Sequence, residues 1–152
     1  MMRVYLVIMD ETEEAHIALR FATRRANKTG GAVHLLALIP KQPFVALGSI
    51  QATIEDEARS KATELLHIAA GDVMVEAGAM PEISVISGEG VVVVRDYLAD
   101  HPEVTALVLG AAKDGGPGPL VSHFTGPNAG KMPCPVFIVP GSLTEADIDR
   151  LS

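Results

Sequence analysis

Short unbroken apolar runs alternate along this chain with longer stretches whose apolar residues recur every three or four positions. The runs occupy residues 4–9, 33–39, 83–86, 105–109 and 135–139. Their length and content of Val and Ile predict strands covered on both faces. Between the first two runs, Ala15, Ala18, Leu19, Ala22 and Ala26 share one face of a helix that ends at Gly30-Gly31. Asp10 and Glu13 have the spacing of a capping box, with Asp10 as N-cap and Glu13 at the third helical position. Ile54, Ala58, Ala62, Leu65, Leu66, Ala69 and Val73 mark a long helix over residues 50–77, with Gly71 as a weak point and Gly78 at its end. Residues 91–100 contain four successive valines, which favour a strand, but Arg95 to Asp100 reads as helix and Pro102 then breaks it. A weak helix is predicted over 120–131, and Thr144 with Asp147 forms a second capping box that starts a short terminal helix.

Five strands alternating with four connecting helices predict an α/β fold with a doubly wound sheet. The runs 105–109 and 135–139 are separated by far more than the dozen or so residues a parallel crossover needs, so they read as parallel neighbours. Ligands of open α/β sheets bind at the carboxyl ends of the strands. The glycine- and proline-rich stretch 110–118 falls there. Its small residues expose backbone N–H groups, and the helix start just after it adds partial positive charge, which together make an anion cradle.

Composition narrows the function. The 152 residues are 48% hydrophobic and 20% charged, which fits one folded domain with a real core. With no Trp and 4% aromatics, that core is built from Val, Ile, Leu and Ala. A net charge of −7 argues against nucleic-acid binding. Cys134 is the single cysteine, so a disulfide framework is excluded, and the five histidines lack ligand spacing, so no metal site is expected. No run approaches the length of a membrane span and the start lacks a signal-peptide pattern, so a soluble, cytoplasmic protein is expected. Gly126 to Lys131 looks like a Walker A loop, but it is one residue short, Met132 replaces the magnesium-binding hydroxyl, and it precedes the last strand. Asp10-Glu11 suits a receiver-type phosphoacceptor pocket, but Ser87-Gly88 and Gly141-Ser142 stand where the other Asp and the Lys belong. No Ser-His-Asp order, carboxylate pair or activated cysteine points to catalysis, so at most a slow ATPase is expected.

The order of elements, the Val7-Ile-Met-Asp10 end of the first strand, Leu109-Gly110, and Met132-Pro-Cys-Pro-Val136 resemble the universal stress protein (UspA) family over nearly the whole chain. The resemblance implies a three-layer Rossmann-like sandwich of the adenine nucleotide alpha hydrolase kind, with a five-stranded parallel sheet. It also implies a universal stress protein domain over residues 1–140 and a C-terminal helical tail over 141–152, a homodimer, a stress-response or regulatory role, and ATP or AMP as possible ligand. Nucleotide-binding members carry G-x-x-G, nine residues, then G-[ST]. Here Gly110 matches the first glycine, Lys113 stands at the second, and the final pair is absent, with Ser122, His123 and Thr125 nearby. Two readings follow. In one, a variant cradle uses Gly116 and Gly118 for close backbone approach and Lys113, Ser122 and Thr125 as donors, with His123 beside it. In the other, Pro117 and Pro119 remove N–H groups and the loop is a structural crossover in an interaction scaffold. Asp10 is expected near the adenosine, besides its capping role. Ala37 and Leu38 are candidates for an adenine slot, with core packing as their other role. Pairing of the last strand, Val136, Phe137, Ile138 and Val139, would cover an apolar edge and build the dimer. Phe44, Val45 and Leu47, or the terminal helix, would then contact protein partners.

Overall fold

All six side chains of Val4–Met9 are buried, as a run without a polar face requires. This strand, β1, is the centre of the sheet in the computed structural model, which describes residues 1–41 and 48–152, with the side chains of 48–51 excepted. The chain continues through α1 (Glu13–Thr29), β2 (Ala32–Ile39), α2 (Gly48–Ala77), β3 (Glu82–Ser87), α3 (Gly90–Asp100), β4 (Ala106–Ala111), α4 (Pro119–Phe124), a 3-10 turn (Ala129–Lys131), β5 (Val136–Pro140) and α5 (Glu145–Leu151). The five strands are all parallel, in the order β3-β2-β1-β4-β5. The predicted α/β architecture is therefore present. Phe44, Val45 and Leu47 lie outside the described residues.

The two-residue period of the strands divides the core into two layers. Tyr5, Val7 and Met9 pack with α1, α2 and Ile148 of α5. Val4, Leu6 and Ile8 pack with α3 and α4 on the other face. Each fully buried Leu or Val contributes roughly 1.5–3 kcal/mol. The tail is fastened by charge as well as by Ile148. The Arg20 guanidinium donates to both carboxylate oxygens of Asp149 at 3.0 Å, and Arg24 Nε lies 3.2 Å from Asp149 Oδ1. Arg20 holds the Asp149 carboxyl below its usual range, so this link is whole at neutral pH and is lost as pH falls through that lowered value.

Several local expectations change. The N-cap of α1 is Thr12, not Asp10: Thr12 Oγ1 accepts from Ala15 N at 3.2 Å, and Glu13 is the first helical residue. Asp10 instead accepts from the N–H and hydroxyl of Thr12, an Asx turn that sets up the cap. Gly30, with φ +66°, ends α1 as expected. Helix α2 runs unbroken through Gly71, where a lone glycine costs only about 1 kcal/mol. The predicted helix over 120–131 is two pieces, because Pro127 disfavours helical backbone at Gly126 and offers no N–H of its own. The valine-rich stretch is helical. The capping box at α5 is complete, with Thr144 Oγ1 accepting from Asp147 N and Asp147 accepting from Thr144 N. Thr144→Ala is expected to cost about 1 kcal/mol, read as a lower urea midpoint at unchanged m-value.

Both sheet edges differ in finish. On α2, Arg59 folds over the edge strand β3, donating to Val85 O and Ser87 Oγ, each at 3.2 Å. On the opposite edge, Val136, Phe137 and Ile138 of β5 are half-buried and Val139 is buried.

Candidate functional site

Strand order reverses between β1 and β4: the chain leaves β1 into α1 on one face and leaves β4 toward α4 on the other. A crevice opens between two such diverging connections. One wall is the turn around Asp10, which is exposed and spends Oδ1 on Thr12. The other wall is the loop 112–118.

That loop begins later than the sequence indicated. Gly110 lies inside β4, paired with Val139, rather than ending the strand. A Cβ there would run into the backbone carbonyl of Glu14 on α1, so the missing side chain lets the first turn of α1 lie flat on the sheet. Gly141 serves the same packing: a Cβ on it would sit 2.9 Å from Glu14 Cβ and 2.7 Å from Ala111 O. Beyond Ala111 the chain closes on itself through Ala112 N–H to Pro117 O at 3.3 Å. Gly115, Gly116 and Gly118 adopt φ of +74°, +90° and +102°, conformations that only glycine takes without strain. Open space lies where their side chains would be. Among the described residues, the N–H groups of Lys113, Asp114, Gly115, Gly116 and Gly118 meet no acceptor of the protein. Helix α4 has under two turns, so its dipole adds little, and any pull on an anion comes from these N–H groups and from Lys113.

Lys113 Nζ lies 4.0 Å from Glu13 Oε2, both exposed, which brings the loop to the start of α1. Ser122 is exposed on α4 and its N–H caps back to Gly118 O at 3.0 Å. Thr125 donates its hydroxyl to Val121 O at 2.6 Å, so that proton is already used within the chain. His123 is half-buried against the edge of the Phe124 ring. Leu38 faces the α3/α4 layer at the end of β2, where a Cβ on Gly90 would be 3.2 Å from Leu38 Cδ1 and 3.5 Å from Leu120 Cδ2. Ala37 points the other way, buried under α1 and α2, so the structure does not bring it to Leu38's side. Glu13, Gly90 and Leu120 were missed by sequence reasoning. Only their position in space, at strand ends far apart in the chain, marks them.

Two open grooves, about 800 Å³ along α2 and about 550 Å³ between β3 and α3, include no residue of the loop. No group of three metal-ligating side chains occurs among the described residues, and no described helix is long and apolar enough to cross a membrane. Burial pushes the Cys134 thiol up, away from the reactive thiolate.

A family model for the universal stress protein family matches residues 1–140. The chain belongs to the universal stress protein family. Comparison with curated sequences finds no match. Among solved structures, the universal stress protein UspA from Lactobacillus plantarum is 19% identical, with a TM-score of 0.79 over 90% of this chain and 97% of that one. A universal stress protein from Archaeoglobus fulgidus in complex with dAMP is 21% identical, with a TM-score of 0.62 over 91% of this chain and 98% of its own. A family member from Arabidopsis thaliana with AMP bound is 16% identical, with a TM-score of 0.61 over 91% of each chain. These likenesses establish the three-layer fold of this universal stress protein. The nucleotides belong to the relatives named.

Proposed function

We propose that this universal stress protein binds an adenine nucleotide, ATP or AMP, at the crevice between β1 and β4, and serves a regulatory or stress-response role in the cytoplasm. The observation that carries the reading is the set of five loop N–H groups without a protein acceptor at the point where strand order reverses. These donors lie on exposed or, at Gly118, half-buried residues and meet water in the free protein, and phosphate oxygens would take the place of that water. In this reading Gly116 and Gly118 allow the phosphate to approach the backbone, and Lys113 exchanges Glu13 for the phosphate. Ser122 adds a hydroxyl and His123 a ring, while Thr125, at the C-terminal end of α4, keeps its hydroxyl proton on Val121 O. Gly110 keeps the floor of the crevice flat. Asp10 approaches the ribose and Leu38 the base, while Ala37 contributes packing behind them. Binding, rather than turnover, is proposed.

Calorimetry with ATP and with AMP, on protein stripped of co-purified nucleotide, tests this. Saturable heat is expected, with Lys113→Ala weakening binding about tenfold through loss of a charge-assisted contact. Absence of heat and of any thermal shift with the stripped protein would sink it.

The half-buried apolar edge at β5 favours a second reading: a homodimer paired through Val136, Phe137, Ile138 and Val139 that acts as an interaction scaffold. Residues 1–140 would be the domain and 141–152 a helical tail strapped to α1. Ile138→Lys would then give monomers in sedimentation, with or without nucleotide.

A further inference from the structure

Buried at 6% exposure, His34 of β2 faces α3 in the layer that otherwise holds Leu36, Val94 and Leu98. Its Nδ1 lies 2.9 Å from the Tyr97 hydroxyl, and its Nε2 lies 3.6 Å from Glu82 Oε2 on β3. Tyr97 is itself buried and stacked on His101, with ring centroids 3.8 Å apart and planes 12° apart. His101 closes the cluster through Nδ1 to Tyr97 O at 2.8 Å. The His34–Tyr97 bond, with the edge of the His34 ring against Tyr97 and His101 at centroid distances of 6.2 and 6.1 Å, thus ties the end of α3 to β2. We assign the hydrogen to Nε2, which faces the Glu82 carboxylate, so that Nδ1 accepts from the Tyr97 hydroxyl, which also bonds Ser84 of β3.

We propose that His34 and Tyr97 form a pH-sensitive latch that holds α3 against β2 and β3 at neutral pH and loosens it in mild acid. A second proton can arrive only at Nδ1, the atom that now accepts from Tyr97, so charging the ring reverses that bond inside an apolar layer. Burial disfavours the imidazolium and pushes the His34 pKa down from its ordinary 6.5. Glu82 on β3 and Glu103 after α3 pull the other way, and His101 at the end of α3 opposes charge; burial outweighs the carboxylates, of which Glu82 is largely solvated. The sign follows. With α3 loose, His34 takes up a proton near 6.5, while the latched state takes it up only at lower pH; the latched state therefore loses ground as pH falls below about 6.5.

Hydrogen exchange of the α3 amides of Val94, Tyr97 and Leu98, corrected for intrinsic rates, measures the opening at pH 7.5 and 5.5. In the full chain, opening is expected to rise by up to about tenfold at pH 5.5, the ceiling set by an ordinary histidine in the open state. His34→Gln is expected to abolish that rise, and His101→Gln to leave it. A rise that survives in His34→Gln, or vanishes only in His101→Gln, overturns the latch. Should His34→Gln fail to fold, NMR titration of the wild-type imidazole decides: a His34 midpoint below 6.5 supports the latch, and one at or above 6.5 overturns it.

Discussion

Phe124→Ala is expected to remove about 3–5 kcal/mol of stability, a large part of what holds a domain of this size together. Phe124 is 1% exposed and shares the α3/α4 core with Leu107, Leu109 and Val121. Helix α4 has six residues and only Val121 and Phe124 buried, and a helix so short has no stability of its own. Removing the ring leaves a cavity and takes away half of the anchor that positions the loop 112–118. Urea denaturation should show a much lower midpoint at an unchanged m-value. A loss below about 1 kcal/mol would mean the loop and α4 are held by something other than this ring.

Gly110→Ala comes next, with an expected loss of about 3 kcal/mol. The added methyl meets the Glu14 carbonyl, which is backbone of α1 and bonded into a helix, so relief requires moving α1 off β4. Gly116→Ala makes the informative comparison. Gly116 is exposed, has open space around it, and is strained by a side chain only through its φ of +90°. Its cost to stability should be about 1 kcal/mol, and under the proposed nucleotide binding its main effect should fall on that affinity. Comparable destabilisation by the two substitutions, measured by the same denaturation, would show that Gly110 does not set the seat of α1.

Most of the architecture was legible because it depends on local patterns. Unbroken apolar runs such as 4–9 marked strands covered on both sides, and Thr144 with Asp147 announced α5 through chemistry confined to four residues. Errors arose where the deciding partner was distant or where two residues competed for one task. Asp10 and Thr12 both suit an N-cap, and the structure uses both, one behind the other. Gly110 read as a strand end, because its reason for being glycine is Glu14, on another element. His34 carried no signal in the sequence beyond its lack of ligand spacing, because its partner Tyr97 is 63 residues away. At the candidate site, the glycines at 115, 116 and 118 were visible in the sequence. The arrival of Glu13 beside Lys113, and of Gly90 and Leu120 beside Leu38, was not.

Arg59 gives the molecule a direction in which it can grow. A guanidinium bonded to Val85 O and Ser87 Oγ opposes strand addition at the β3 margin, whereas at β5 the Arg25 guanidinium lies over the Phe137 ring and, among the described residues, no side chain hydrogen-bonds the strand backbone. In the proposed dimer, copies joined margin to margin would then meet β5 to β5, an isologous contact that is complete with two chains. Neutralising that blockade with Arg59→Ala would give each copy two sticky sides, and open ribbons would become the hazard.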